Sequence, residues 1–226
     1  MLGFRILKRQ RAVNPDLVNQ YKGIPVANVS DCMGRLFSIG ARLRPMHAAG
    51  SSRMAGPAFT VRTRPGDNLL IHKALETAEP GDIIVVDGGG CTTNALIGEI
   101  MAAAAEMKGI AGFVINGAIR DAESIRNSSF PVFACGVTHR GPYKDGPGEI
   151  NVTIAIDNMV IEPGDLIIGD EDGVLCVPCQ HAESVYQDAL EVTKLERNLV
   201  AGRTAGTYDT AWIDAKLTGL GFHIET

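Results

Sequence analysis

The amino-acid sequence predicts an α/β protein, a layered β/β/α single domain with a central parallel βαβ unit and an additional antiparallel β layer. Three apolar runs bounded by turn residues predict buried strands: "EPGDIIVVDGGG", "GIAGFVIN" and "FPVFACGV". Helical patterns separate these runs, and a β–helix–β–helix–β order predicts parallel pairing with right-handed crossovers. The later runs "EINVTIAID", "NMVIEPGDLIIGD" and "EDGVLCVP" have the pattern of short strands joined by tight turns, which indicates the antiparallel layer.

The segments before the central unit are shorter and more varied. A basic lead-in (1–13) is followed by a predicted helix (14–22) and by two cap-like residues, Ser30 and Asp31. A predicted strand (53–64), the turn "PGDN" and a second predicted helix (Leu69–Thr77) come next. Because no repeat, charge block or low-complexity linker interrupts the chain, we expect one domain over residues 1–226.

The central unit and the C-terminal region carry clear start and stop signals. The glycines of "DGGG" are expected to end the first strand, and Gly117 is expected to form a turn after the second. Residues Glu99–Lys108 have a helical apolar stripe, and Gly109 suits the end of that helix. A final helix over about 180–201 precedes an irregular tail with aromatic residues. We expect the lead-in and the region after about residue 180 to form contacts between subunits.

Composition and charge exclude several classes of function. The formal charge of −5 argues against a nucleic-acid or anionic-membrane binder, because both need a basic face. No apolar run approaches the roughly 18 residues of a membrane helix, and the N-terminus lacks the apolar core of a signal peptide. The glycine-rich stretch "DGGGCTTNALIG" matches neither GxGxxG nor a GK[ST] ending, which argues against nucleotide binding.

The cysteines indicate a cytoplasmic protein without structural disulfides. There are five of them, an odd number, mostly scattered along the chain, as is usual in a reducing compartment. The pair in "CVPC" has no second pair and no nearby His pair to complete a metal set. We therefore interpret Cys176 as a small buried residue and Cys179 as incidental.

The stretch "GEIMAAAAEMKGIAGFVINGAIRD" places charged residues at both ends of a largely apolar unit. Gly98 and Glu99 open a helix, so the backbone N–H groups of roughly Gly98 to Met101 lack intrahelical partners and predict an anion site. Arg120 and Asp121 follow the next parallel strand, whose carboxyl end lies beside the first. We expect these charges to converge on one pocket.

Such a pocket suits a small 2-oxo acid. The helix amides would hold its carboxylate, Arg120 would contact a second oxygen, and Asp121 would bind Mg²⁺ or Mn²⁺ with water in the other positions. The metal and Arg120 together would stabilise an enolate. The competing interpretation is structural: a local Arg–Asp ion pair, a helix-capping Asp121, and a Glu99 that favours the first turn of its helix.

Two further features are left open. The histidines show no metal-ligand spacing, so we treat each as a surface residue or an ordinary polar packing residue. The polar loop "THRGPYKDGPGE" either covers the site, contacts a neighbouring subunit or is simply exposed.

The layout "PGDN…EPGDIIVVDGGG…GE…NGAIRD…EPGDLIIGDEDGVLCVP" resembles that of a known superfamily from about Ile24 to Pro178. That superfamily contains the class II 4-hydroxy-4-methyl-2-oxoglutarate/4-carboxy-4-hydroxy-2-oxoadipate aldolases and the regulator of ribonuclease activity A. The aldolase branch is marked by an acidic residue, twenty intervening residues and Arg-Asp, which Glu99 and Arg120–Asp121 match, with Glu in place of the commoner Asp. The regulator branch usually lacks the aspartate, so Asp121 favours an aldolase.

This resemblance implies a role for each residue of the pocket. Asp121 would ligate Mg²⁺ or Mn²⁺ directly, and Glu99 would hold a metal-bound water. Arg120 would contact the carbonyl and enolate of pyruvate. The backbone N–H groups that bind the carboxylate would be those of Gly98, Glu99, Ile100 and Met101.

The resemblance also implies residues outside that stretch and an assembly. Asn68 matches a position near the substrate, and Asp31 matches an acidic position near the active-site waters. The aldolases take a glutamate from the last helix of a neighbouring subunit. Here "LEVTKLERNLVAG" aligns imperfectly, which leaves Glu191 and Glu196 as alternatives acting through water. The family forms trimers, often paired into hexamers, with active sites between subunits.

The implied reaction is reversible cleavage of a 4-hydroxy-2-oxo diacid to pyruvate and a second oxo acid. Oxaloacetate decarboxylation is the expected side activity, because loss of CO₂ gives the same enolate. The alternative is a non-catalytic protein-interaction regulator that masks a partner's surface. A third hypothesis is an enzyme that forms an enolate at the same site from another substrate.

Overall fold

The computed structural model describes residues 1–35, 40–51 and 53–223. Its strands are β1 (Phe4–Ile6), β2 (Arg44–Pro45), β3 (Met54–Thr63), β4 (Ile83–Ile97), β5 (Gly112–Ile119), β6 (Val132–Val137), β7 (Gly148–Ile150), β8 (Ile154–Ile156), β9 (Met159–Ile161), β10 (Leu166–Asp170) and β11 (Gly173–Val177). Its helices are α1 (Pro15–Tyr21), α2 (Val26–Cys32), α3 (Leu69–Thr77), α4 (Glu99–Met107), α5 (Ala122–Arg126), α6 (Ala182–Thr204) and α7 (Ala211–Gly219). None of these described helices combines the length and apolar character needed to cross a membrane.

The centre of the molecule is the parallel unit that the sequence predicts. Strand β4 pairs in parallel with β3 and β5, and β5 pairs in parallel with β6. Helices α3, α4 and α5 connect these four strands in turn. Along this sheet the strand order is β1-β7-β3-β4-β5-β6-β2, and β10 and β11 are joined to it through β3.

The β-branched run at the start of β4 shows why the sheet is covered on both faces. Ile84 and Val86 pack into one core with α3, α4 and α5. Ile83 and Val85 point the other way, into a core shared with β8, β9, β10 and β11. All four side chains are fully buried, and each stabilises the fold by roughly 1.5–3 kcal/mol.

The antiparallel strands form the second β layer. Strand β10 pairs antiparallel with β11 and with the first residues of β3, while β8 and β9 form a separate hairpin. A third core joins α1, α2 and α6 to β10 and β11. The layered β/β/α fold class is therefore confirmed.

Two predicted strand boundaries are wrong. Strand β4 does not stop at the glycines but continues to Ile97, with register shifts after Asp87. Gly89 and Gly90 have φ angles of 69° and 67°, which allow a bulge where a side chain would be strained. Gly117 does not form a turn but lies inside β5. Its missing side chain leaves room for Leu96, whose Cδ1 would lie 2.8 Å from an added Cβ.

The helical predictions differ from the structure at the two ends of the chain. Ser30 and Asp31 lie in the last turn of α2 and do not cap its start. The predicted irregular tail contains α7, while its last three residues lie outside the described part. Within the predicted lead-in, Phe4–Ile6 forms β1, which pairs in parallel with β7.

Candidate functional site

The site lies where two neighbouring parallel strands end. Strand β4 ends at Ile97 and leads through Gly98 into α4, whereas β5 ends at Ile119 and leads through Arg120 and Asp121 into α5. Ile97 and Ile119 are paired across the sheet, and the Arg120 N–H donates to the Ile97 carbonyl at 3.0 Å. Residues far apart in sequence are thereby brought side by side at the carboxyl edge of the sheet.

The Asp121 side chain faces the start of α4. Its Oδ2 accepts a hydrogen bond from the Glu99 N–H at 3.1 Å and lies 3.5 Å from Arg120 Nε. Asp121 occupies the N-cap position of α5, but its side chain makes no capping hydrogen bond to that helix. Its backbone is left-handed, with φ of 55°, a conformation that costs a non-glycine residue energy and is frequent at functional sites. Of the contacts that the structural interpretation expects, the Arg120–Asp121 ion pair is present, whereas the Asp121 side chain does not cap α5.

Gly98 is required by this arrangement because two side chains approach its backbone. A Cβ at this position would overlap Asp121 Oδ2 and would lie 3.0 Å from Arg120 Cγ. The φ angle of Gly98 is −148°, which other residues adopt freely. Close approach is therefore the reason for glycine here.

The start of α4 offers fewer free donors than the four that the sequence predicts. The Glu99 N–H is taken by Asp121, and the Met101 N–H donates to the Gly98 carbonyl at 3.2 Å. Among the described residues, the N–H groups of Gly98 and Ile100 have no acceptor. Two free amides at the positive end of a helix still favour an anion.

These groups surround a cavity of about 220 Å³. It brings together most residues predicted for the site, namely Asn68, Gly98, Ile100, Met101, Arg120 and Asp121. Arg120 and Asp121 also line an adjoining cleft of about 270 Å³ beside Thr138 and His139. Their side chains are 43% and 34% exposed, so a solvent-borne ligand can reach both.

Asn68 forms a buried polar wall of the cavity. Its side-chain amide donates to the Leu96 carbonyl at 3.0 Å, at the end of β4. Its Oδ1 is buried and has no hydrogen-bond partner among the described residues. A buried unpartnered acceptor costs free energy, and a ligand with a hydroxyl or N–H group would satisfy it.

Four predicted site residues have side chains outside this cavity. Glu99 contributes its N–H, but its carboxylate accepts a hydrogen bond from Ser124 on α5. Asp31 pairs with Arg35 at 2.7 Å. On α6, Glu191 forms an ion pair with Lys194, and Glu196 accepts a hydrogen bond from Asn28 at 2.8 Å.

The donor set fits a hard divalent cation that keeps most of its water. The described residues contain no group of three or more His, Cys, Asp or Glu side chains placed to hold a metal. No described residue donates a hydrogen bond to Asp121 Oδ1, because the contacts to this carboxylate are all made at Oδ2. A single free carboxylate oxygen with surrounding water is compatible with Mg²⁺ or Mn²⁺.

Two cavity residues, His72 and Lys144, were missed by sequence reasoning. His72 lies one helical turn after Asn68 on α3, and this i, i+4 spacing is a signal that could have found it. Burial and the positive charge of Lys144 lower the pKa of His72. Lys144 and Pro142 belong to the polar loop, so this loop lines one side of the cavity.

The chain is similar to several known proteins. A family model described as RraA-like, Aldolase/RraA, matches residues 26–176. A Halalkalibacterium halodurans protein, provisionally named 4-hydroxy-4-methyl-2-oxoglutarate aldolase, is 40% identical over 77% of this chain and 82% of its own. The 4-hydroxy-4-methyl-2-oxoglutarate aldolase of Thermus thermophilus is 38% identical over 57% of this chain and 78% of its own. The solved RNA-processing inhibitor RraA from the same genus superposes with a TM-score of 0.61 at 33% identity, over 68% of this chain and 92% of that one.

Proposed function

Because this chain belongs to the RraA-like family, Aldolase/RraA, we propose that it is a class II pyruvate aldolase that depends on Mg²⁺ or Mn²⁺. It cleaves a 4-hydroxy-2-oxo acid or diacid to pyruvate and a second oxo acid. The observation that carries the proposal is the Asp121 carboxylate, which faces the start of α4 beside Arg120 in a solvent-reachable cavity. The names of the two aldolase relatives support the reaction class.

Substrate binding uses the groups at the ends of β4 and β5. The free N–H groups of Gly98 and Ile100 bind the substrate carboxylate at the positive end of α4. Arg120 donates to the 2-oxo oxygen and stabilises the negative charge that develops there in the transition state. Removal of one such donor costs about 100- to 1,000-fold in kcat.

The cleavage step moves one proton and one electron pair. A base takes the proton of the 4-hydroxyl group, C4 becomes a carbonyl carbon, and the C3–C4 bond breaks. The electron pair of that bond forms the pyruvate enolate, which takes up a proton to give pyruvate. The proposed base is a carboxylate-held water, which Glu99 would hold once its side chain turns from Ser124 towards the cavity. A divalent ion bound at Asp121 would supply Lewis-acid polarisation of the 2-oxo group.

The same residues should decarboxylate oxaloacetate. Its carboxylate and 2-oxo oxygen match those of pyruvate, so Arg120 and the α4 amides would bind them in the same way. Loss of CO₂ leaves the electron pair on C3 and gives the same enolate. This side activity separates an enolate-stabilising site from a site that only binds 2-oxo acids.

We extend the proposal to a homotrimer or a pair of trimers. Glu191 and Glu196 lie on α6, outside the cavity of their own protomer, and either would reach a site only in a neighbouring copy. The same helix exposes the apolar side chains of Leu195, Leu199 and Val200, which a second copy would cover. Asp31 is proposed to act near the waters of the assembled site.

A second candidate function is a non-catalytic regulator, which the similarity to the solved RNA-processing inhibitor supports. Such a protein would act through its surface and would not need Asp121. Capture of an RNA-processing partner by wild type and Asp121→Asn alike, with no pyruvate produced by either, would favour this second candidate.

The test of the aldolase proposal is coupled pyruvate detection with 4-hydroxy-4-methyl-2-oxoglutarate or oxaloacetate in the presence of Mg²⁺ or Mn²⁺. Asp121→Asn should abolish pyruvate release, because the amide loses the charge that binds the cation. The matched control is Asp172→Asn, an exposed position whose recorded contacts are made by its backbone. Wild-type protein that releases no pyruvate from either compound would contradict the proposal.

A further inference from the structure

One wall of the cavity is built by a loop without a helix or strand, in which only Tyr143 forms an isolated β-bridge, with Asp67. The segment 138–147 joins β6 to β7 and contributes Pro142 and Lys144 to the cavity. Among the described residues, the Lys144 side chain makes no hydrogen bond or ion pair. Its ammonium group is therefore free to attract an anionic ligand, provided that the loop holds it in place.

The loop is held by one buried carboxylate, that of Asp67 in the turn before α3. Asp67 accepts hydrogen bonds from the N–H groups of Asp145 at 2.7 Å, Gly146 at 2.9 Å and Leu69 at 3.0 Å. Arg64 Nη2 lies 3.3 Å away. Burial alone would raise the pKa of the Asp67 carboxyl, but these N–H groups and the Arg64 charge hold it below its ordinary value. The side chain is thus a charged acceptor with all its contacts inside the protein.

Backbone hydrogen bonds fasten the loop on the other side of Lys144. The Tyr143 N–H donates to the Gly66 carbonyl at 2.8 Å, and the Tyr143 carbonyl accepts from the Asn68 N–H at 3.0 Å. The residue before Lys144 and the two residues after it are therefore bound to the same turn. That turn also supplies Asn68 to the cavity.

We propose that Asp67 is a positioning residue that fixes Lys144 at the wall of the cavity and thereby sets the affinity of the enzyme for its anionic substrate. This inference rests on the proposed aldolase function. Among the described residues, Lys144 forms no hydrogen bond or ion pair with Arg120 or Asp121, so its role in the proposal is substrate binding and not the breaking of the bond. An interaction of equal strength in the ground state and the transition state changes KM and leaves kcat almost unaltered.

The test is a double-mutant cycle on the steady-state kinetics of pyruvate release from 4-hydroxy-4-methyl-2-oxoglutarate. Asp67→Asn keeps the shape of the side chain but turns one acceptor into a donor that faces N–H groups. We expect KM to rise about tenfold, with kcat within about threefold of wild type. Lys144→Met should raise KM by a similar factor. The double variant should show no further rise, because both changes remove the same interaction.

Hydrogen exchange supplies a readout that does not depend on activity. The amides of Asp145 and Gly146 should exchange at least about tenfold faster in Asp67→Asn and at the wild-type rate in Lys144→Met. The matched control is Asp172→Asn, an exposed carboxylate outside this loop whose contacts are made by its backbone, and it should alter neither KM nor exchange. If Asp67→Asn is not recovered folded, the smaller Asp67→Ser takes its place with the same expected results.

The outcomes separate the two proposals. An active wild type whose KM is unchanged by Asp67→Asn, or whose two single effects add in the double variant, would overturn the positioning role alone. A wild type that releases no pyruvate would overturn both the aldolase function and the role that rests on it.

Discussion

Replacing Gly98 with alanine tests how closely Asp121 approaches the start of α4. The added Cβ would overlap Asp121 Oδ2 and would press on Arg120, whose Cγ and Nε would lie 3.0 and 3.2 Å away. Ordinary contact distances require the carboxylate to withdraw by about 1 Å, and a misplacement of that size costs about 100-fold in rate. The backbone itself is not strained, because Gly98 has a negative φ.

The stability of this variant should change much less than its activity. The displaced carboxylate loses its hydrogen bond to the Glu99 N–H, which contributes about 1 kcal/mol to the free energy of unfolding. Pyruvate release and thermal unfolding are measured on Gly98→Ala and on Gly219→Ala, a control whose Cβ would meet nothing within 4 Å. A kcat for Gly98→Ala above half the wild-type value would refute the role given to this contact.

Three further predictions concern titratable groups. Lys144→Met should raise the pKa of His72 in an NMR titration, while leaving it below 6.5 because burial remains; an unchanged pKa would show that the two side chains do not interact. Because the pKa of Asp67 is lowered by folding, its charge stabilises the protein above pH 3.8, and this stabilisation is lost as the pH falls further through the folded-state pKa. The difference in melting temperature between wild type and Asp67→Asn should therefore shrink in acid, and a constant difference would contradict that assignment. Hydrogen bonds from Thr93 lower the pKa of Cys91, whereas burial raises that of Cys176, so iodoacetamide should label Cys91 about tenfold or more faster by mass spectrometry; equal rates would be inconsistent with these environments.

The parallel unit could be predicted because its signals are local. The run of β-branched residues from Ile83 to Val86 needs two covered faces, and the alternation of its side chains between two cores agrees with that requirement. The ends of β4 and β5 follow from the same reasoning, which is why Gly98 and the Arg120–Asp121 pair could be placed together.

Features that depend on distant parts of the chain could not be predicted. Glycines usually end a strand, but those after Asp87 allow a bulge. Strand β4 continues beyond them because it stays paired with β5 as far as Ile119. The position of Lys144 depends on hydrogen bonds from its loop to Asp67, which lies 77 residues earlier in the sequence. No local pattern contains this contact. The role proposed for Glu191 or Glu196 would depend on another copy of the chain, which no local pattern describes.

The most direct test of the central claim is proton exchange at C3 of pyruvate, followed by NMR in D₂O with Mg²⁺ or Mn²⁺. It requires only binding and enolate formation at the Arg120–Asp121 pair, and it is independent of the second oxo acid. The account predicts exchange that depends on the divalent ion in wild type and is lost in Asp121→Asn. Equal exchange in the two proteins, or exchange unaffected by a chelator, would contradict it.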